Sequence, residues 1–172
     1  WRDWSSDVCS SDLMINSVPV SVIMPVLNEE HHLADAAQSV LDQKNFDGEL
    51  LIALGPSTDK TDAVAAKLAK ADSRIKLVSN PRGLTTVGMN LCIEQAKHDV
   101  IVRIDAHSEP ASNYISRGIE ILEARKADLL GGIMSAKGKT LFQKAVAWAY
   151  NSPFGLGGAT YHVGGEEGSA ES

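Results

Sequence analysis

Cysteine is scarce in this chain, and a disulfide framework is thereby excluded. Only Cys9 and Cys92 occur in 172 residues, too few for the stapled fold of a small secreted domain. No apolar run approaches the roughly 18 residues of a membrane span. Basic residues are outnumbered: the formal net charge is −6, so there is no cationic stripe to neutralise nucleic-acid phosphates, and nucleic acid is not an expected partner. No G-K-[ST] closes a Walker A loop, no H-E-x-x-H or C-x-x-C marks a zinc site, and no G-x-S-x-G marks a nucleophile elbow. Internal repeats and low-complexity tracts are absent as well. The glycines at 131, 132, 155, 157 and 158 do not form a dinucleotide fingerprint after a first strand.

The opening thirteen residues, WRDWSSDVCSSDL, lack periodicity and a signal-peptide core. Back-translated, Asp3 to Leu13 resemble a short-read sequencing adaptor. Residues 1–13 are therefore expected to be a non-native leader, with Met14 the natural start. Setting the leader aside removes one Arg and three Asp, takes the net charge to −4 and leaves Cys92 as the lone thiol; a lone thiol fits a reducing compartment. The closing VGGEEGSAES carries no helix, strand or tail signal and is expected to be a cut end of a longer protein.

What the chain does contain is an alternation of strand and helix signals. Val20 to Val26 (VSVIMPV) is a short, β-branched apolar run suited to a buried strand, and Pro25 is expected to mark its end. Leu33, Ala36, Ala37, Val40 and Leu41 then recur at helical spacing, with Asn28 as expected N-cap and Glu29 and Glu30 at the positive end of the helix dipole. Glu49 to Leu54 predicts a second strand, and a helix starting at Ser57–Asp59 carries Val64, Leu68 and Ala71. Arg74 to Ser79 predicts a third strand and Gly83 to Ala96 a helix. Asp99 to Ile104 is the fourth and most apolar strand. Ile115, Ile119 and Leu122 stripe another helix, Ala127 to Met134 suggests a fifth strand, and Thr140 to Tyr150 a last helix. The expected fold is α/β: an open, mostly parallel sheet flanked by helices. Residues 14–150 would form this domain, and 151–172 would begin a Gly-rich mobile region.

In such sheets, ligands bind outside the carboxyl ends of the strands. Three loops qualify: Pro25–Glu30, Gly55–Asp59 and Asp105–Glu109. Asp105 and His107 are one residue apart at a strand end, so both side chains leave on one side. A carboxylate and an imidazole suit Mn²⁺, and Mg²⁺ less well, leaving coordination positions for diphosphate oxygens. The same two residues also suit a simple turn closed by Ser108 and Pro110. Glu29 and Glu30 equally suit the helix dipole alone, and His31 and His32 a solvated helix face.

Together these segments resemble family 2 glycosyltransferases of the GT-A fold. VSVIMPVLNEEHHL is similar to the family's opening strand and P-x-x-N-E loop, GPSTDKT to its D-D-G-S-T-D-x-T segment, and NPRGLTTVGMNLCIEQAKHDVIVRIDAHS to the stretch that ends in D-x-D. D-A-H in place of D-x-D, with LLGGIM, SPFGLGGATYH and GGEEG, resembles the succinoglycan-type glucosyltransferase subgroup. The resemblance implies an inverting, metal-dependent hexosyltransferase that uses a nucleotide-sugar, expected to be a UDP-sugar, with Mn²⁺ or Mg²⁺ as cofactor. Pro25, Val26, Asn28, Glu29 and Asp105 would bind the donor, and Asp105 and His107 would hold the metal. The acceptor would be a glycan or lipid-linked sugar of exopolysaccharide or cell-envelope synthesis, at the cytoplasmic side of the bacterial inner membrane. The catalytic base is expected beyond Ser172 together with any membrane anchor, so this fragment alone would not turn over. The family's paired aspartates after the second strand are replaced here by Leu54 and Gly55, so their contact with base or ribose must come from another group. Two other functions stand beside it: a non-catalytic nucleotide-binding module, and a sugar nucleotidyltransferase, which would need a Gly-rich basic loop where PVLNEEHH is acidic.

Overall fold

A computed structural model describes residues 18–132, 140–150 and 152. The chain divides into two compact units, Trp1–Glu120 and Ile121–Ser172. The first contains a four-stranded parallel sheet. Its strands are β1 (Val20–Val26), β2 (Gly48–Leu54), β3 (Ile75–Ser79) and β4 (Val100–Arg103), in the order β3-β2-β1-β4. Helices α1 (Leu33–Leu41), α2 (Thr61–Ala71) and α3 (Thr85–Gln95) connect them, and α4 (Tyr114–Arg125) follows β4. The predicted α/β architecture is thus found, with the first strand ending where the apolar run ends.

Strand alternation decides what each face buries. Val20, Val22, Met24 and Val26 join Leu50, Ile52, Ile75 and Ile104 in one apolar cluster, into which α1 inserts Leu33, Ala36, Ala37 and Val40, α2 Ala65 and α4 Ile115. The opposite face packs Ile23, Leu51, Ala53 and Val78 against Cys92 and Met89 of α3. Burial drives the Cys92 thiol up to about 11, which keeps it protonated and inert. At the amino end of that face lies a buried polar group. Glu49 sits opposite Ser21 in register and accepts from Ser21 Oγ (2.9 Å), from the Lys97 backbone N–H (2.8 Å) and from Lys76 Nζ.

Several boundaries differ from expectation. Asn28 does not cap α1; the helix starts five residues later, after His32, with no side-chain cap. Pro25 does not end β1 but lies inside it, paired with Ala53. β4, expected as the most apolar strand, is only half-buried, because β1 alone pairs with it among the described residues. The fifth strand is not formed over residues 127–132; Leu129 is 88% exposed there, and the Gly131–Gly132 pair is a poor strand former. Ile133 and Met134 fall outside the described residues, as does the Gly-rich region after Tyr150 apart from Ser152.

In the second unit, α5 (Leu141–Tyr150) opens on a reciprocal cap. Gln143 N donates to Thr140 Oγ1 (3.2 Å) and Thr140 N donates to Gln143 Oε1 (3.1 Å), which satisfies two orphan donors of the first turn. No described helix is long and apolar enough to cross a membrane.

Candidate functional site

The loops after β1, β3 and β4 meet at the carboxyl end of the sheet, around a cleft of about 200 Å³. The β1 side of its wall is Pro25, Val26, Leu27 and Glu29; the β3–α3 connection supplies Asn80, Gly83 and Thr85; the β4 side supplies Arg103, Asp105 and His107. Pro25, Val26, Glu29, Asp105 and His107, all expected from the sequence, therefore share one cleft. Asn28 is not among its lining residues.

Asn28 has a different task. Its backbone is left-handed, with φ 56°, and its side-chain Oδ1 accepts from the Thr58 N–H (2.7 Å) and hydroxyl (3.2 Å). Three successive N–H groups of this loop are then satisfied from the β2–α2 segment. Asn28 N donates to Ser57 Oγ (3.1 Å), Glu29 N to Thr61 Oγ1 (2.8 Å) and Glu30 N to Asp59 Oδ2 (3.1 Å). The hydroxyl and carboxylate residues of GPSTDKT are thus a brace for the first loop. Asp59 also accepts from Thr61, and this bond holds its carboxyl below the ordinary carboxylate value.

So braced, Glu29 extends between two imidazoles: Oε2 lies 3.1 Å from His32 Nδ1 and Oε1 3.4 Å from His107 Nδ1. His32, expected only on a solvated helix face, is therefore a neighbour of the site.

On the β4 side, the ladder continues one residue past the strand. Ile104 N still bonds to Ile23 O (3.2 Å), and Ile104 and Ala106 are buried in the core. Arg103 and Asp105 leave the extended backbone on the cleft side, and His107 reaches the same cleft from a turn in which Ser108 N donates to Asp105 O (2.9 Å), so the turn that the sequence also suits is present beside the cleft. Farther along, buried Gln43 holds this connection from behind. Its Nε2 donates to Ala111 O (2.8 Å) and its Oε1 accepts from Ile115 N (3.2 Å). The Arg103 guanidinium is bidentate on Asp105, Nε to Oδ1 at 2.9 Å and Nη2 to Oδ2 at 3.0 Å. Sequence reading passed over Arg103; the available signal was the i, i+2, i+4 spacing of Arg103, Asp105 and His107.

Asn80, on the wall from the β3–α3 connection, is also absent from the sequence expectation. It is buried, its Nδ2 donates to Leu84 O (3.1 Å), and its Oδ1 has no partner. Leaving a buried acceptor unpaired typically costs about 1–3 kcal/mol. Gly55 lets this wall approach: a Cβ there would lie 3.0 Å from Leu27 Cδ1, 3.2 Å from Val26 O and 3.4 Å from Gly83 Cα. The β2 loop accordingly gives no side chain to the cleft, and an aspartate at 55 would crowd the loops that form it.

A divalent cation is chemically compatible with this wall, given a carboxylate, an imidazole and the nearby Glu29. It is not a protein-only cage: no cluster of three or more His, Cys, Asp or Glu side chains suited to a metal exists among the described residues. The donor set fits a cation that shares its coordination with a ligand's own oxygens.

Comparison with known proteins agrees with the fold and the order of motifs. The sequence model of glycosyl transferase family 2 matches residues 21–163, and the chain belongs to that family. It is 31% identical over 153 residues to the succinoglycan biosynthesis protein ExoA of Rhizobium meliloti (strain 1021), covering 87% of this chain and 46% of that protein. The structure is similar to that of S. aureus TarS 1-349 in complex with UDP-GlcNAc, with a TM-score of 0.59 at 19% identity over 72% of this chain and 36% of that one. It is also similar to a mannosyltransferase from Pyrobaculum calidifontis in complex with GDP-Man and Mn²⁺, with a TM-score of 0.55 at 23% identity over 70% and 35%. At such identities the structural likeness is one of fold, here GT-A. The chain spans less than half the length of the curated relatives it matches.

Proposed function

We propose that this chain is the donor-binding part of a nucleotide-sugar-dependent hexosyltransferase whose full-length form acts in exopolysaccharide or cell-envelope glycan synthesis. The observation that carries the reading is the convergence of Pro25, Val26, Glu29, Asp105 and His107 on one cleft at the carboxyl ends of β1 and β4. Pro25 and Val26 form an apolar wall for a nucleoside. Asn28 acts indirectly, fixing the loop that presents Glu29. Asp105 and His107 hold the diphosphate end together with a divalent cation, Mn²⁺ or Mg²⁺. When bound, the cation neutralises charge on the departing nucleoside diphosphate. Glu29 orients His107 through the Nδ1 contact. In the whole protein an acceptor hydroxyl of a glycan or lipid-linked sugar would displace the nucleoside diphosphate with inversion, at the cytoplasmic face of the membrane. The base for that step is proposed to lie beyond Ser172.

Support comes from membership of the family, from the relative named for succinoglycan biosynthesis, and from fold neighbours determined with UDP-GlcNAc and with GDP-Man and Mn²⁺. Glu29 and Glu30 after β1 speak against a sugar nucleotidyltransferase, which needs a basic loop for a triphosphate.

The test is calorimetric titration of UDP-glucose into the chain with and without Mn²⁺. Binding is expected to require the ion, and Asp105→Asn and His107→Ala are each expected to weaken it about tenfold, the scale of one charge-assisted contact. Cation-independent affinity, or variants that bind like the parent, would remove the basis for the reading. In a longer form, the same substitutions should abolish sugar transfer; a binding module without chemistry would have no transfer to lose.

A further inference from the structure

Among the described residues, Arg103 is the one arginine or lysine on the cleft wall, and it pairs with Asp105. Both carboxylate oxygens face the guanidinium, so the pair occupies the carboxylate that a cation would need. The pair is half in solvent, with side-chain exposures of 50% for Arg103 and 29% for Asp105. An ion pair so placed is weak and exchangeable. A divalent ion at Asp105 would repel the guanidinium at the same moment that it took its partner. The released side chain stays on the cleft side, because its backbone is pinned by the β1–β4 register that places Arg103 opposite Ile23. A planar guanidinium presenting paired donors to a diphosphate matches phosphate oxygens well.

We propose that Arg103 is a place-holder: it neutralises Asp105 while no cation is bound, and on cation binding it transfers to the phosphate oxygens of the donor. This rests on the donor-binding reading above. It extends that reading to a residue that couples ion and nucleotide, so that the empty cleft does not carry an uncompensated carboxylate and the loaded one gains a second positive group. Coupling of this kind is an exchange of partners, with the differential contacts made by Arg103 in each state.

The experiment uses the 172-residue chain, its Arg103→Met variant and its Arg103→Lys variant, each first checked for an unchanged thermal transition. Mn²⁺ affinity without nucleotide is read by electron paramagnetic resonance, and UDP affinity at saturating Mn²⁺ by calorimetry. Arg103→Met should bind Mn²⁺ about fivefold more tightly, because a competing cation is gone. It should bind UDP about tenfold more weakly, because a charge-assisted contact is lost. Arg103→Lys keeps the charge without the fork, and should fall between the two on both scales. Unchanged or weaker Mn²⁺ binding by Arg103→Met overturns the place-holder role; unchanged UDP binding overturns the transfer to phosphate. If the parent chain binds UDP with Mn²⁺ and these shifts are missing, only the present inference fails. If the parent binds no UDP in Mn²⁺, the donor reading fails and takes this one with it.

Discussion

Asn28 holds its loop with one side chain and a left-handed backbone, and these two contributions can be separated. Asn28→Ala loses the bonds to Thr58 and leaves a Cβ-bearing, non-Asn residue at φ 56°. Asn28→Gly loses the same bonds but relaxes the backbone. We expect Ala to destabilise by about 2 kcal/mol and Gly by about 1 kcal/mol less, measured by urea unfolding; an equal cost would mean that the backbone carries no strain. Glu49 is a second residue with a definite expectation. Burial raises its pKa, but the Lys76, Lys97 and Ser21 bonds outweigh that and leave it below the ordinary value of 4.5. A lowered carboxyl stabilises the fold above its unfolded pKa, and the stabilisation is lost as pH falls through the folded value. Glu49→Gln should therefore cost about 2 kcal/mol near pH 7, with the gap to the parent closing as pH drops below 4.5. Lys76 is raised above 10.5 by the same pair, so its share is present below 10.5 and fades as alkali passes its folded pKa. A gap that stays constant between pH 7 and pH 3 would contradict the assignment.

Elements were legible where one pattern dominated. β1 and α1 read cleanly because a β-branched run gives way to apolar residues at helical spacing. The cap was misread because an Asn before acidic residues looks like an N-cap, whereas here the amide bonds to a loop thirty residues away. LLGG looked like a strand by apolarity, yet formed none over the described part; strand pairing is a tertiary event that composition does not report. α3 provides a sharper test at this scale. A Cβ at Gly88 would stand 2.8 Å from Asn80 Nδ2 and 3.0 Å from Ala53 Cβ, so the helix presses its backbone onto the sheet there. Gly88→Ala should destabilise by about 1–3 kcal/mol through overpacking, despite a gain in helix propensity near 1 kcal/mol. Chemical denaturation checks the sign; stabilisation would show that the contact has room.

For the molecule as a whole, the sequence supplied the strands but not their order. Without knowing that β1 sits between β2 and β4, the cleft's β1 and β4 walls could be guessed from family motifs, but its third wall could not. Asn80, Gly83 and Thr85 reach the site because the β3–α3 connection approaches across the end of β2 at Gly55. That approach is a packing fact with no local signature. Arg103 was missed for another reason: it reads as a solvated charge at a strand end until Ile104 and Ala106 are seen to be buried.

That last pattern carries a consequence of its own. Ile104 and Ala106 anchor this stretch in the core, and Arg103, Asp105 and His107 reach the cleft on either side of them. Exchanging one of these side chains alters one contact, but adding or deleting a residue between Ile104 and Ala106 would pull a buried anchor out of the core and displace the turn that carries His107. Relatives should accordingly keep the length of this stretch, and a one-residue insertion after Ile104 should displace Asp105 and His107 together, where a single replacement removes only one of them.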